Sequence, residues 1–225
     1  MNIVVGSLWR DSSRNVPRYV GQVDALKRHV GTGHHVRVIA AEGDSTDGTA
    51  QMLLRQLWDL QLVDVSNGEP RYGSTEQPER MAALSKIGNS IFFSVRPDDD
   101  VLVYVESDLI WDPHTIGSLI DAAMEQKDDF DVFAPLVFAG KDFYDVWGFR
   151  GMDGQRFAPF APYHSSLRPT GFTEVSSVGS CLVMRRRVAV TVHPMVSNAL
   201  VEWCGNARAQ RFHIAVWADF KVRHP

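Results

Sequence analysis

The sequence predicts an α/β fold with a mostly parallel central sheet flanked by helices, and a small antiparallel portion in the second half. Three observations lead there. Short β-branched runs alternate with stretches of helical spacing from Ile3 to Val137. Two of the runs, residues 36–41 and 101–105, end abruptly in carboxylates, at Glu42 and Glu106. In an open α/β sheet the carboxyl ends of the strands form the ligand crevice, so those acids stand where a ligand would. The text after Ala139 loses its periodicity, which places the irregular, antiparallel part there.

Taken in order, residues 3–7 read as a strand buried on both faces, and residues 17–29 as a helix through Val20, Val23 and Leu26. Residues 36–41 form the second strand. Thr46 or Asp47 then offers a cap for a helix over 49–58. Residues 62–65 give a short strand closed by Ser66-Asn67-Gly68, and residues 79–93 a helix with an apolar face at Met81, Leu84, Ile87 and Ile91. The apolar run 101–105 is the central strand. Pro113 suits the first turn of a helix over 114–126. A strand over 132–137 precedes a long Gly-, Pro- and aromatic-rich stretch, 139–173, with one or two short strands. Such loops inside a compact domain tend to be functional. Strand returns at 178–185, helix at 201–210, and a final strand pair at 214–222.

The 225 residues suit a single domain over 1–225, with 44% hydrophobic and 22% charged residues. A net charge of -4 leaves no basic footprint for bulk attraction to nucleic acid or an anionic membrane. Cys181 and Cys204 are too few for a disulfide framework. The start, Met1-Asn2-Ile3-Val4, lacks a signal-peptide pattern, and no apolar run is long enough to span a bilayer, so a cytoplasmic protein is expected. No Gly-x-Ser-x-Gly elbow, His-Glu-x-x-His or phosphate-loop motif occurs.

Four segments carry chemistry. Glu42 heads Glu42-Gly43-Asp44-Ser45-Thr46-Asp47-Gly48-Thr49 and could accept hydrogen bonds from a ribose or base; the plain alternative is an ordinary strand-to-helix turn. Glu106-Ser107-Asp108 puts two carboxylates one residue apart, side chains on the same side, so that they can share a hard divalent cation. The alternative is a polar strand end. Asp98-Asp99-Asp100 has the same spacing but precedes that strand, some 15 Å from the carboxyl edge, and reads as a solvated loop. Finally, Asp145-Val146-Trp147-Gly148-Phe149-Arg150 and the stretch on to Thr173 offer aromatic faces, Trp147 among them, for a sugar ring or base as an acceptor wall, or else a flap packing on the sheet.

The segment Ser45-Thr46-Asp47-Gly48-Thr49 resembles the acid-acid-Gly-Ser-x-Asp-Gly-Thr element of family 2-type glycosyltransferases of the GT-A fold, although Gly43-Asp44 inverts the usual order. Glu106-Ser107-Asp108 is similar to the DxD element of GT-A enzymes, with Glu106 in place of the first Asp. Gly179-Ser180-Cys181-Leu182 resembles their Gly-Gly-x-x-Leu-x-x-Arg segment, and Glu202 opens a stretch similar to their Glu-Asp-x-x-x-x-x-Arg-Ala helix, Trp203 standing where a second acid often sits. The resemblance implies a metal-dependent transfer of a sugar from a nucleotide-diphosphate donor to a hydroxyl acceptor. Residues 1–112 would bind the nucleotide sugar and 113–225 the acceptor. It places the donor against Gly6, Ser7, Leu8, Glu42, Asp44, Arg80, Glu106 and Ser107. Mn²⁺ or Mg²⁺ would lie on Glu106, Asp108 and the late His224. Glu202 would be the general base of an inverting reaction, and Trp147, Gly179, Ser180 and Trp203 the acceptor wall. The acceptor could be a saccharide, lipid or protein hydroxyl, or a modified DNA base. The alternatives are a non-catalytic nucleotide- or sugar-binding module and a sugar nucleotidylyltransferase, whose basic Gly-rich signature is missing at Gly6-Ser7-Leu8-Trp9-Arg10-Asp11.

Overall fold

The computed structural model describes residues 1–66, 68, 72–73 and 76–225; Asn67 of the expected closing turn lies outside them. Three parallel strands come first: β1 (Asn2–Trp9), β2 (His35–Glu42) and β3 (Leu60–Asp64), separated by α1 (Val16–Val30) and α2 (Thr49–Gln56). Helix α3 (Pro78–Phe93) leads to β4 (Val101–Val105), which pairs in parallel with β1. Helix α4 (Pro113–Glu125) leads to β5 (Val132–Ala139) and the short β6 (Asp142–Phe143). Then come β7 (Phe172–Glu174), β8 (Cys181–Arg185), α5 (Arg186–Thr191), α6 (Ala199–Ala209) and β9 (Ile214–His224).

Among the described residues all nine strands belong to one sheet, in the order β3-β2-β1-β4-β8-β5-β9-β7, with β6 paired to β5. The pairings give one direction to β1 to β5 and β9, and the reverse to β6, β7 and β8. The mostly parallel sheet with an antiparallel excursion in the second half is therefore what forms. Every residue of β4 is buried, because helices cover both faces of the sheet. Pro113 opens α4 as expected, and Asp47 accepts from Thr49 N at 3.1 Å at the start of α2, with Gly48 at the N-cap itself. The Asp112 carboxylate also accepts from Thr115 N at 2.9 Å, and Gly31, with φ of 80°, ends α1.

Several boundaries differ, each for a packing reason. Strand β1 runs on to Trp9, because its ladder with β2 continues to the Trp9–Glu42 pair. Strand β8 begins only at Cys181, since Gly179 and Ser180 turn out of the sheet beside β4. Helix α5 is an element that the sequence reading lacks. Residues 214–224 make one strand rather than two: β9 pairs with β5, and its register jumps from Trp217 to Lys221 between Pro135 and Leu136. Proline has no N–H to give to a ladder, which suits a break there.

Asp99 is a correction. It is 5% exposed, not solvated; its carboxylate takes both Nε and Nη2 of the equally buried Arg37, at 2.9 and 2.5 Å. Asp100 accepts from the Asn2 backbone N–H at 2.6 Å. The acidic triplet thus clamps the amino ends of β1 and β2, at the sheet edge opposite the crevice.

Candidate active site

At the carboxyl ends of β1 and β4 lies a cleft of about 240 Å³, walled by Leu8, Glu106, residues 144–148, Gly179 and Ser180, and the start of α6. A second hollow of about 310 Å³ shares Leu8, Arg80 and Leu84 with it and extends to Trp9, Arg10 and Tyr72. Arg80 and Leu84 come from α3, so this helix forms the partition between the two.

Glu106 follows the last residue of β4 and looks into the first cleft. Although part of it meets the cleft, protein encloses its carboxyl. Burial, followed by the charges of Asp108 and Asp145, pushes its pKa up to about 8 against the opposing pull of Arg80 and Ser180. Asp145 is 9% exposed; its Oδ2 accepts from Ser180 Oγ at 2.6 Å and its Oδ1 from Gly148 N at 3.1 Å. Burial raises its pKa too, against those two hydrogen bonds. Two glycines make room for it. A Cβ on Gly179 would stand 2.5 Å from Asp145 Oδ2, and one on Gly148 would stand 2.8 Å from the Gly179 Cα. Gly179 is thus explained by the approach of Asp145.

Asp108 and His224 meet beside this cleft, 3.2 Å apart from Oδ2 to Nε2. The Tyr144 ring, itself a wall of the cleft, stacks on the His224 imidazole with centroids 3.8 Å apart and planes 14° apart. Asp108 Oδ1 is buried and meets no hydrogen-bond partner among the described residues. An orphaned carboxylate oxygen next to an imidazole nitrogen is a donor set that a divalent cation such as Mn²⁺ accepts. The expected three-residue set does not assemble. Among the described residues no three His, Cys, Asp or Glu side chains gather as a cation site, because Glu106 turns into the cleft while Asp108 turns toward His224.

The other expected residues divide clearly. Leu8, Arg80, Trp147, Gly179 and Ser180 line the cleft. Gly6 does not: it lies under α3, where a Cβ would come 2.3 Å from Ile91 Cγ2. Ser7 is fully buried and accepts from Trp9 Nε1 at 2.6 Å. Ser107 is buried, its carbonyl turned to Arg18 at 3.5 Å. Glu42 is buried at the end of β2, with Oε1 accepting from Ser45 N at 2.9 Å; Asp44 accepts from Gly68 N at 2.9 Å.

Glu202 is the main correction. Its Oε2 accepts three backbone N–H bonds, from Val196, Ser197 and Asn198, at 2.9, 2.7 and 3.0 Å. Burial opposes its ionisation, but the three donors outweigh burial and hold its pKa below the usual range. A carboxylate so engaged is a loop clamp and a poor base. Trp203 is no acceptor wall either: it is 1% exposed and stacks on Phe92 at 5.2 Å inside the core. Sequence reasoning missed Tyr144 and held Asp145, Arg150 and Arg156 only within a segment offered as an acceptor wall; all four line the cleft. Nothing local tied Asp145 to β4.

Solved structures share this architecture. A mycobacterial protein aligns over 100% of this chain and 67% of its own, with 15% identity and a TM-score of 0.58. The chain has the GT-A fold. Glucosyl-3-phosphoglycerate synthase from Mycobacterium tuberculosis, crystallised with Mn²⁺, UDP and glucosyl-3-phosphoglycerate, aligns over 99% of this chain and 68% of its own, with 12% identity and a TM-score of 0.55. Residues 1–349 of S. aureus TarS align over 99% and 60%, with 16% identity and a TM-score of 0.55. This chain therefore spans 60–68% of the length of these three similar structures. No protein-family model matches the sequence, and no curated protein matches it. Among the described residues, no helix is long and apolar enough to cross a membrane.

Proposed function

We propose that this GT-A domain is a metal-dependent glycosyltransferase that moves a sugar from a nucleotide-diphosphate donor to a hydroxyl acceptor. The observation that carries the proposal is the orphaned Asp108 Oδ1 beside His224, at the rim of a cleft formed by the carboxyl ends of β1 and β4. Mn²⁺ or Mg²⁺ held by Asp108 and His224 would offset the charge on a departing nucleoside diphosphate. The Mn²⁺ and UDP in the structure of the M. tuberculosis synthase support this reading.

The residues of the chain divide the work. The hollow by Trp9, Arg10 and Tyr72 takes the nucleoside, with Glu42 at the neighbouring strand end as the acceptor for ribose or base hydrogen bonds. Arg80, common to both hollows, stands where the diphosphate passes from one to the other. The cleft at the ends of β1 and β4 takes the sugar and the acceptor: Trp147 offers a ring face and the Asp145–Ser180 pair offers hydroxyl partners. Tyr144 keeps the His224 ring in plane through its stack. Glu202 clamps the loop that closes the far wall.

The test is thermal unfolding with UDP-, GDP-, CMP- and dTDP-sugars, each with and without Mn²⁺, followed by donor hydrolysis with the best of them. One nucleotide sugar should stabilise the protein only when Mn²⁺ is present, by about 2.7 kcal/mol at one hundred times its Kd, and Asp108→Ala should abolish both the shift and the hydrolysis. A wild-type protein that no nucleotide sugar stabilises would overturn the proposal. Mn²⁺-dependent binding without turnover toward any acceptor would mark a binding module instead.

A further inference from the structure

The wall of the cleft formed by residues 149–157 carries a charge arrangement that an uncharged acceptor does not call for. Residues 149–151 and 155–157 form a hairpin, closed by Gly151 N to Gln155 O at 2.9 Å and Phe157 N to Phe149 O at 3.1 Å. Arg150 and Arg156 are directly opposed across it, and both line the cleft. Opposed residues of an antiparallel pair share a face, where like charges repel each other. Glu76 is the counter-charge. Its two carboxylate oxygens take Arg156 Nη1 and Nη2 at 2.7 and 2.8 Å, while it meets Arg150 only through its field.

Arg150 is thus held in place but underused. Its backbone is fixed on the other side as well, donating to Ser177 O at 3.1 Å and accepting from Ser176 N at 2.9 Å. Its Nε is buried and meets no hydrogen-bond partner among the described residues. A guanidinium offers a planar fork of donors that matches carboxylate and phosphate, and a desolvated donor without an acceptor is costly. Across the Arg150–Arg156 pair one carboxylate, Glu76, meets two guanidiniums, and both of its oxygens are taken by Arg156.

We propose that the acceptor carries an anionic group, a carboxylate or a phosphate, and that Arg150 binds it with Arg156 alongside. This rests on the transferase reading above, since it names the acceptor class for the same cleft. The nucleotide's own diphosphate is the competing anion, but it is assigned to the Arg80 side, whereas Arg150 and Arg156 stand on the hairpin wall.

The experiment is calorimetric titration of glucose 6-phosphate, glucuronate, inorganic phosphate and glucose, with and without Mn²⁺ and the best-binding nucleoside diphosphate. Wild type, Arg150→Gln and Arg150→Lys are compared. Wild type should prefer the two anionic sugars over glucose by at least tenfold. Arg150→Gln should lose roughly tenfold to a hundredfold of that binding with an unchanged nucleoside diphosphate affinity, and Arg150→Lys should recover part of it. Equal binding of the anionic sugars and glucose by wild type would overturn the proposal. So would an Arg150→Gln protein whose main loss is in nucleoside diphosphate affinity, since the anion at Arg150 would then be the diphosphate. The anionic sugars are also titrated without nucleotide, so failure of every nucleotide to bind would count against the transferase reading alone.

Discussion

Replacing Asp99 by Ala strands a guanidinium in the interior. Arg37 and Asp99 side chains are each 3% exposed, and two of the Arg37 nitrogens bond the carboxylate. Asp99 also accepts from Arg96 N at 2.6 Å, while Arg37 Nη2 donates to Ser94 O at 3.0 Å. Removing one partner of a buried pair costs about 3–5 kcal/mol, chiefly because the remaining charge is left without compensation. In a domain of this size each kcal/mol lowers Tm by about 2–4 °C, so Asp99→Ala should lower it by roughly 6–20 °C. Removing both charges in Arg37→Leu/Asp99→Val should recover at least half of the loss, since the groups that then lose a partner, the Arg96 N–H, the Ser94 carbonyl and Gln61 Oε1, are all neutral. Urea unfolding followed by circular dichroism reads both variants. A single-variant loss below about 1 kcal/mol, the value of an exposed pair, would refute the reasoning, as would a double variant less stable than the single one.

Two further outcomes follow from the site. Glu202→Gln should destabilise the protein by about 1–3 kcal/mol, because the neutral amide is a weaker acceptor for the three N–H groups of residues 196–198. The folded pKa of Glu202 lies below its unfolded value, so its contribution is fully present above about pH 4.3 and fades as pH falls through the folded value. The stability gap to Glu202→Gln should therefore close in acid; urea midpoints taken from pH 7 down to pH 3 measure it, and a gap that widens in acid would contradict the clamp. Tyr144→Phe should leave Mn²⁺ affinity within about twofold, whereas Tyr144→Ala, which removes the ring stacked on His224, should weaken it by about threefold to tenfold, the equivalent of an aromatic pair. Manganese binding followed by electron paramagnetic resonance gives the affinities, and equal values for the two variants would show that the stack does not orient the imidazole.

The alternation of strand and helix, the central strand Val101–Val105 and the acids that end β2 and β4 were legible in the chain, because burial on both faces demands continuous apolar runs and strand ends release polar residues. Pro113 in the first turn of α4 and Asp47 at the start of α2 were equally local. Leu8, Arg80, Glu106, Trp147, Gly179 and Ser180 were each assigned to the ligand crevice from sequence, and each lines the cleft. Long-range pairing decided the remainder. Asp99 reads as a surface acid until β2 brings Arg37 against it, and Glu202 as a helix-start acid until the loop at 196–198 folds its N–H groups onto it. Asp145 lies 39 residues from Glu106 in the chain, and the β4–β8 pairing with the Gly148 and Gly179 contact is what joins them in one low-dielectric cleft. Periodicity records whether a side chain meets water or protein. Which charge stands opposite which is set by strand order and loop closure, and these exist only once the sheet has formed.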